Sequence, residues 1–150
     1  MLGCLPGPFN KKTMEKSIQE KIKNCKALQG MVVDDVIKSQ RFIDNLGSYW
    51  QAQRTDREAI KKSYEAMRKV GGPKGYKLPA HPIDRLAGYS VTELAGQYRL
   101  IIMGECSLSA AERKYIKQLC TQAYQLTIAQ IVCEEYPELK ETLIPTSKTN

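Results

Sequence analysis

Residues 109–133 read SAAERKYIKQLCTQAYQLTIAQIVC, and this stretch is the strongest structural signal in the chain. It opens on a Ser109–Glu112 capping box, in which the serine oxygen accepts a backbone N–H and the glutamate reaches back to the serine N–H. Apolar side chains then follow on more than one helical face: Tyr115, Ile116, Leu119, Cys120, Ala123, Leu126 and Ile131. Because a helix that is apolar on several sides is packed on several sides, this stretch is predicted to be the centre of an all-α core.

Two further capping boxes predict helix starts earlier in the chain. They are Thr55 with Glu58 and Ser90 with Glu93. Each precedes apolar residues at helical spacing, which are Ala59, Ile60, Tyr64 and Met67 after the first and Leu94, Ala95, Tyr98, Ile101 and Ile102 after the second. These patterns predict a third and a fourth helix, and the stretch at 109–133 is the fifth.

The amino-terminal region predicts the first two helices. Apolar residues at steps of three and four indicate an amphipathic helix over about 12–29 with lysines on its other face, and a second helix over about 31–53. Trp50, near the end of the second helix, fits an interface anchor and a core position equally well, and the pattern leaves both open. Gly30 either ends the first helix or lies within one longer, bent helix, and the pattern leaves both open. A short element over 138–142 follows the fifth helix. The prediction is a compact bundle of about five helices.

The segment 71–82 is predicted to be a long irregular loop. Three glycines and three prolines in twelve residues exclude a helix interior, because proline lacks an N–H and glycine is entropically unfavourable there.

The 150 residues are expected to form one domain with flexible ends at 1–11 and 145–150.

Charge is distributed unequally along the chain. Residues 1–80 contain sixteen Lys and Arg against eight Asp and Glu, whereas the remainder contains seven against eight, for a net charge of +7. A basic half attracts an acidic partner, whatever that partner is. The predicted contact residues lie on and after the third helix: Lys61, Lys62, Arg68, Lys69, Lys74, Tyr76 and Lys77. Lysines and glycine N–H groups suit phosphate oxygens, and a tyrosine ring can stack on a nucleic-acid base.

Several kinds of site are absent from the sequence pattern. The five cysteines form no Cys-x-x-Cys pair and His81 is the only histidine, so neither a zinc site nor a disulfide framework is expected, and the thiols are interpreted as reduced. Gly71–Gly75 lacks the Gly-Lys-Ser/Thr ending of a phosphate-binding loop, and no cofactor is predicted. No apolar run approaches the roughly 20 residues that span a bilayer, and a cytoplasmic location is expected.

The isolated histidine and the adjacent acidic pairs are expected to have structural rather than catalytic or metal-binding roles. His81 is expected to be an exposed loop histidine without a catalytic partner. Asp34–Asp35 and Glu134–Glu135 are adjacent pairs that point about 100° apart on a helix, so neither pair is expected to converge on a metal.

The function predicted from these observations is that of a non-enzymatic helical interaction subunit. It is expected to dock on a larger complex, or on copies of itself, through the basic amino-terminal half and the 71–82 loop. The alternative is a nucleic-acid-binding protein that contacts phosphates through the same surface. An enzyme with a site assembled from Tyr76, His81, Asp84 and Arg85 ranks last, because no known spacing supports it.

Overall fold

The computed structural model describes the backbone of residues 16–71 and 81–144, and the side chains of 16–67 and 81–144. Within these residues the chain forms nine α-helices and one 3₁₀ turn, without a strand, so the all-α prediction is confirmed. The predicted flexible ends at 1–11 and 145–150, and most of the predicted loop at 71–82, lie outside the described residues. The helices are α1 (Lys16–Lys23), α2 (Lys26–Gln29), α3 (Val33–Lys38), α4 (Gln40–Thr55), α5 (Arg57–Gly71), α6 (Ile83–Leu86), α7 (Val91–Met103), α8 (Ala110–Glu135) and α9 (Lys140–Leu143), with the 3₁₀ turn at Pro137–Leu139.

The compact five-helix bundle is not confirmed, because the first two predicted helices are each divided. The first breaks at Cys25, whose backbone is extended. There the Glu135 carboxylate accepts the Lys26 backbone N–H at 3.0 and 3.2 Å and lies 3.6 Å from the Cys25 sulfur. A distant glutamate thus caps α2, and no local pattern around residue 25 signals this break.

The second predicted helix breaks at Ser39, which is also extended. The Ser39 hydroxyl donates to the Val36 carbonyl at 2.7 Å and accepts the Phe42 N–H at 3.2 Å. One side chain therefore closes α3 and caps α4, as serine does when it competes with the backbone for hydrogen bonds.

Two of the three predicted capping boxes are confirmed. Ser90 exchanges hydrogen bonds with Glu93 at 2.7 and 3.1 Å, and Ser109 does so with Glu112 at 3.1 and 3.2 Å. The third is wrong: Thr55 is the last residue of α4, and α5 begins after a single turn residue. A cap residue must leave the helical conformation, which Thr55 does not do.

The chain divides into two compact units, residues 1–42 with 122–150, and residues 43–121. The single-domain prediction stays a prediction. In the first unit, apolar residues from α1–α3, α8 and the carboxy-terminal turn form one buried cluster: Ile22, Cys25, Leu28, Val36, Ile128, Ala129, Val132, Cys133, Leu139 and Leu143.

Trp50 lies within the second unit and is fully buried, which decides for the core position that the sequence had left open beside an interface role. Its indole Nε1 donates to the Tyr89 carbonyl at 2.9 Å, and its ring meets Tyr115 edge-on with centroids 6.4 Å apart. The other buried apolar residues of this unit are Leu46, Ile83, Leu86, Leu94, Ala95, Tyr98, Ile116, Leu119 and Cys120. The unit's core thus draws on α4, α6, α7 and the first half of α8.

Across the described part of the chain, no helix combines the length and the apolar content that crossing a bilayer would require.

Candidate partner-binding groove

The structure describes only some of the seven predicted contact residues. Lys61 and Lys62 lie on α5 with described side chains, whereas only the backbone of Arg68 and Lys69 is described, and it is helical. The remaining three, Lys74, Tyr76 and Lys77, lie outside the described residues. The structure therefore bears only on the part of the predicted contact surface that belongs to α5.

Lys61 belongs to an ion-pair cluster. Its ammonium lies 3.1 Å from the Asp84 carboxylate, and the Arg57 guanidinium donates two hydrogen bonds to the same group at 2.6 and 2.9 Å. Hydrogen bonds from Arg57 and then Lys61 hold the pKa of Asp84 below its usual value. Because two cations share one carboxylate, this edge of α5 keeps a positive excess.

Other cations of the basic half are also paired within the first unit. Lys21 lies 2.8 Å from Glu138, Lys38 lies 3.0 Å from Asp34, and Arg41 pairs with Glu134. Part of the amino-terminal charge excess is therefore balanced by nearby carboxylates, some of them from the far end of the sequence. Such pairs reduce the positive charge that is available to a polyanion.

An open groove of about 390 Å³ lies along α5. Its floor is one stripe of the helix, since residues at steps of three and four share a face, and His81 adds to its wall. The lining residues are Asp56, Ala59, Ile60, Ser63, Tyr64, Met67 and His81. Met67 is 64% exposed, so the apolar stripe predicted for this helix is partly open to solvent.

His81 is half-buried, in contrast to the exposed position that was predicted. Its ring lies edge-on between two tyrosines, with centroid distances of 5.1 Å to Tyr64 and 5.6 Å to Tyr115. Its Nδ1 accepts the Ile83 N–H at 3.0 Å. Burial lowers the pKa of His81, and the Asp84 carboxylate partly opposes this shift. The ring is therefore held neutral near pH 7 as part of the groove wall.

The arrangement around His81 does not resemble a general-base site. The Tyr115 hydroxyl donates to Gln53 Oε1 at 2.5 Å, and burial raises the pKa of Tyr115 to about 12. Asp84 is occupied by Arg57 and Lys61, while Tyr76 lies outside the described residues. The described members of the last-ranked enzyme hypothesis thus have structural partners, and no acid–base pair joins them.

The acidic pairs and the cysteines lie in surroundings that do not form a metal site or a reactive thiol within the described residues. Asp35 accepts the Val32 N–H at 3.2 Å, and no group of three His, Cys, Asp or Glu within the described residues could hold a metal. Cys25, Cys120 and Cys133 are buried, and burial raises the pKa of Cys120 to about 12. Such a thiol stays protonated at neutral pH and is a poor nucleophile.

No protein-family model, curated protein or solved structure matches the chain.

The groove was not predicted, although its residues were singled out. Ala59, Ile60, Tyr64 and Met67 were predicted to form one apolar stripe of a helix, because apolar spacing identifies a helical face without saying what covers it. The spacing therefore gives no signal that this face is partly open.

Proposed function

We propose that this protein is a non-enzymatic helical interaction subunit that docks on a larger assembly through the α5 groove. The occupant is an amphipathic helical segment of another protein, with acidic residues beside its apolar stripe. An amphipathic helix laid into an apolar groove is a recurring mode of peptide recognition, in which residues at steps of three and four serve as anchors.

The exposed apolar stripe of α5 is the observation that carries the proposal. Met67 is 64% exposed beside Ile60 and the small residues Ala59 and Ser63. Covering a methionine that would otherwise remain in water contributes ~1–2 kcal/mol. Its unbranched thioether also adapts to differently shaped partners.

The charge around α5 supports an acidic occupant. Residues 54–69 contain six Lys and Arg against three Asp and Glu. Asp84 holds Arg57 and Lys61 in fixed positions along one side of the helix, while Lys62 is exposed. Positive charge beside an apolar stripe steers an acidic amphipathic segment to the groove and disfavours a basic one. The contacts predicted for Lys74, Tyr76 and Lys77 stay predictions.

Selection from a random peptide library displayed on phage tests the proposal. We expect enriched peptides to combine apolar residues at helical spacing with Asp or Glu, and to lose about tenfold or more in affinity for Met67→Glu. Met103→Glu is the matched control, because Met103 is 54% exposed on α7 and does not line the groove. Circular dichroism melts would show that both variants fold.

Two outcomes would contradict the proposal. One is the absence of enriched peptides, and the other is equal peptide binding to wild type and Met67→Glu.

A separate measurement addresses the nucleic-acid alternative. Mobility shifts of duplex DNA and RNA are recorded at ~50 and ~200 mM salt, because phosphate contacts give a steep salt dependence. A salt-sensitive shift that Lys62→Glu weakens and Met67→Ala, which adds no charge, leaves unchanged would favour phosphate binding.

A further inference from the structure

His81 is the only histidine in the chain and forms part of the wall of the α5 groove. Its Nδ1 accepts the Ile83 N–H at 3.0 Å, which only a deprotonated ring nitrogen can do. The neutral ring therefore holds its proton on Nε2. In this form it packs edge-on against Tyr64, which also lines the groove, and against Tyr115.

We infer that protonation of His81 reshapes the wall of the α5 groove and releases its occupant on acidification. Release of an occupant rests on the proposed function, whereas the change in the wall does not.

The reason lies in the hydrogen-bonding capacity of the two ring forms. An imidazolium has an N–H at both nitrogens, so a protonated Nδ1 would face the Ile83 N–H donor to donor at their present distance of 3.0 Å. The ring must then turn or move away from Ile83. Because the ring contacts Tyr64, its movement changes the surface that Tyr64 and Met67 present to an occupant.

The groups that face His81 do not compensate for the loss of its hydrogen bond from the Ile83 N–H. From α6, the Asp84 carboxylate attracts a charged ring, but its oxygens are already hydrogen-bonded to Arg57 and Lys61 of α5. From α8, Tyr115 stays neutral because burial raises its pKa to about 12. The remaining groove groups on α5 are the Tyr64 phenol and the Asp56 carboxylate. Burial holds the pKa of His81 below its usual value of 6.5, so the wall keeps its shape at neutral pH and changes only when the pH falls through the lowered pKa.

Methyl NMR tests the change in the wall without any partner. In protein labelled at the methionine methyl groups, the Met67 signal should shift with pH along the same curve as the single His81 ring signal. The Met103 signal should stay in place, because Met103 lies on α7 and does not line the groove. His81→Asn should abolish the Met67 shift, since an asparagine oxygen can accept the Ile83 N–H but does not titrate in this range.

The inference fails if Met67 does not shift with His81, if His81→Asn shifts in the same way, or if nitrogen NMR finds the neutral proton on Nδ1. The second arm uses the peptides from the display selection: wild type should bind about tenfold more weakly at a pH below the midpoint of the His81 ring signal than at about pH 7.5, and His81→Asn equally at both. Equal binding by wild type at the two pH values would overturn release.

The two proposals fail in different ways. Without enriched peptides the proposed function is lost, but the methyl signals still decide whether His81 reshapes the wall. If peptides bind and the methyl signals do not respond to pH, only the pH switch is lost.

Discussion

At the scale of single residues, buried polar atoms in this protein have specific partners that local sequence does not identify. The apolar spacing placed Trp50 on one side of a helix without deciding between core and interface, and its indole N–H pairs with the Tyr89 carbonyl, 39 residues away. The Arg54 guanidinium also lies over the Trp50 ring, 5.4 Å from its centroid. Such contacts depend on which segments meet after folding. An apolar pattern therefore indicates a helical face but does not identify the residues that contact it.

Trp50→Phe tests the weight of these contacts. We expect the free energy of unfolding to fall by about 2–3 kcal/mol, because the smaller ring leaves a cavity and the Tyr89 carbonyl loses its donor. Urea denaturation followed by circular dichroism measures this change. Tyr49→Phe is the control: Tyr49 is half-buried beside Trp50, and the loss of its hydroxyl should change stability by less than about 1 kcal/mol. Equal losses for the two variants would argue against the indole hydrogen bond.

At the scale of the helices, local sequence predicted the elements whose ends are determined by local hydrogen bonds. Ser90 and Ser109 cap α7 and α8 through a glutamate three residues on, and both starts were predicted correctly. Breaks that depend on distant residues were missed, as at Cys25, where Glu135 provides the cap. Thr55 matches the same pattern but is helical, because the chain continues almost directly from α4 into α5.

Alanine substitutions at the three predicted caps separate these cases. Ser90→Ala and Ser109→Ala should each lower the free energy of unfolding by about 1 kcal/mol, since a backbone N–H loses its acceptor. Thr55→Ala should be neutral or slightly stabilising, by a few tenths of a kcal/mol, because alanine is the better helix former. Thermal and urea melts of the three variants provide the measurement. A loss at Thr55 as large as that at Ser90 would indicate a capping box at that position.

At the scale of the whole molecule, folding redistributes the charge asymmetry of the sequence. The basic first half appears in the sequence as one positive region, yet Lys21 pairs with Glu138 and Arg41 with Glu134, about a hundred positions away. These pairs are exposed and each contributes little to stability, but they determine which cations remain available to a partner. The docking surface predicted from the basic half stays a prediction, and Lys21 and Arg41 are among the cations that it shares with carboxylates of the protein itself.

The Asp84 cluster predicts a pH dependence of stability. Because Arg57 and Lys61 lower the folded pKa of Asp84 below 3.8, its contribution is complete above that value and is lost as the pH falls through the lower, folded value. Asp84→Asn should therefore melt below wild type at neutral pH, and the difference should shrink as the pH falls below 3.8. Melting temperatures across this range measure the effect. Salt at about 1 M should also reduce the difference, because the pair is exposed; a gap that is constant in pH and salt would contradict an ionic origin.

The sequence by itself determined the all-α class, the long helix α8 and two helix starts, because helical periodicity and capping hydrogen bonds operate within a few residues of one another. Only the tertiary structure decided the break at Cys25, the ion pairs of Lys61 and Arg41, the packing of His81 between Tyr64 and Tyr115, and the exposure of Met67. Each of these depends on residues that are distant in sequence and meet only when the helices pack. The α5 groove belongs to this second group: its stripe was visible in the sequence, but what covers a stripe is a property of the folded chain.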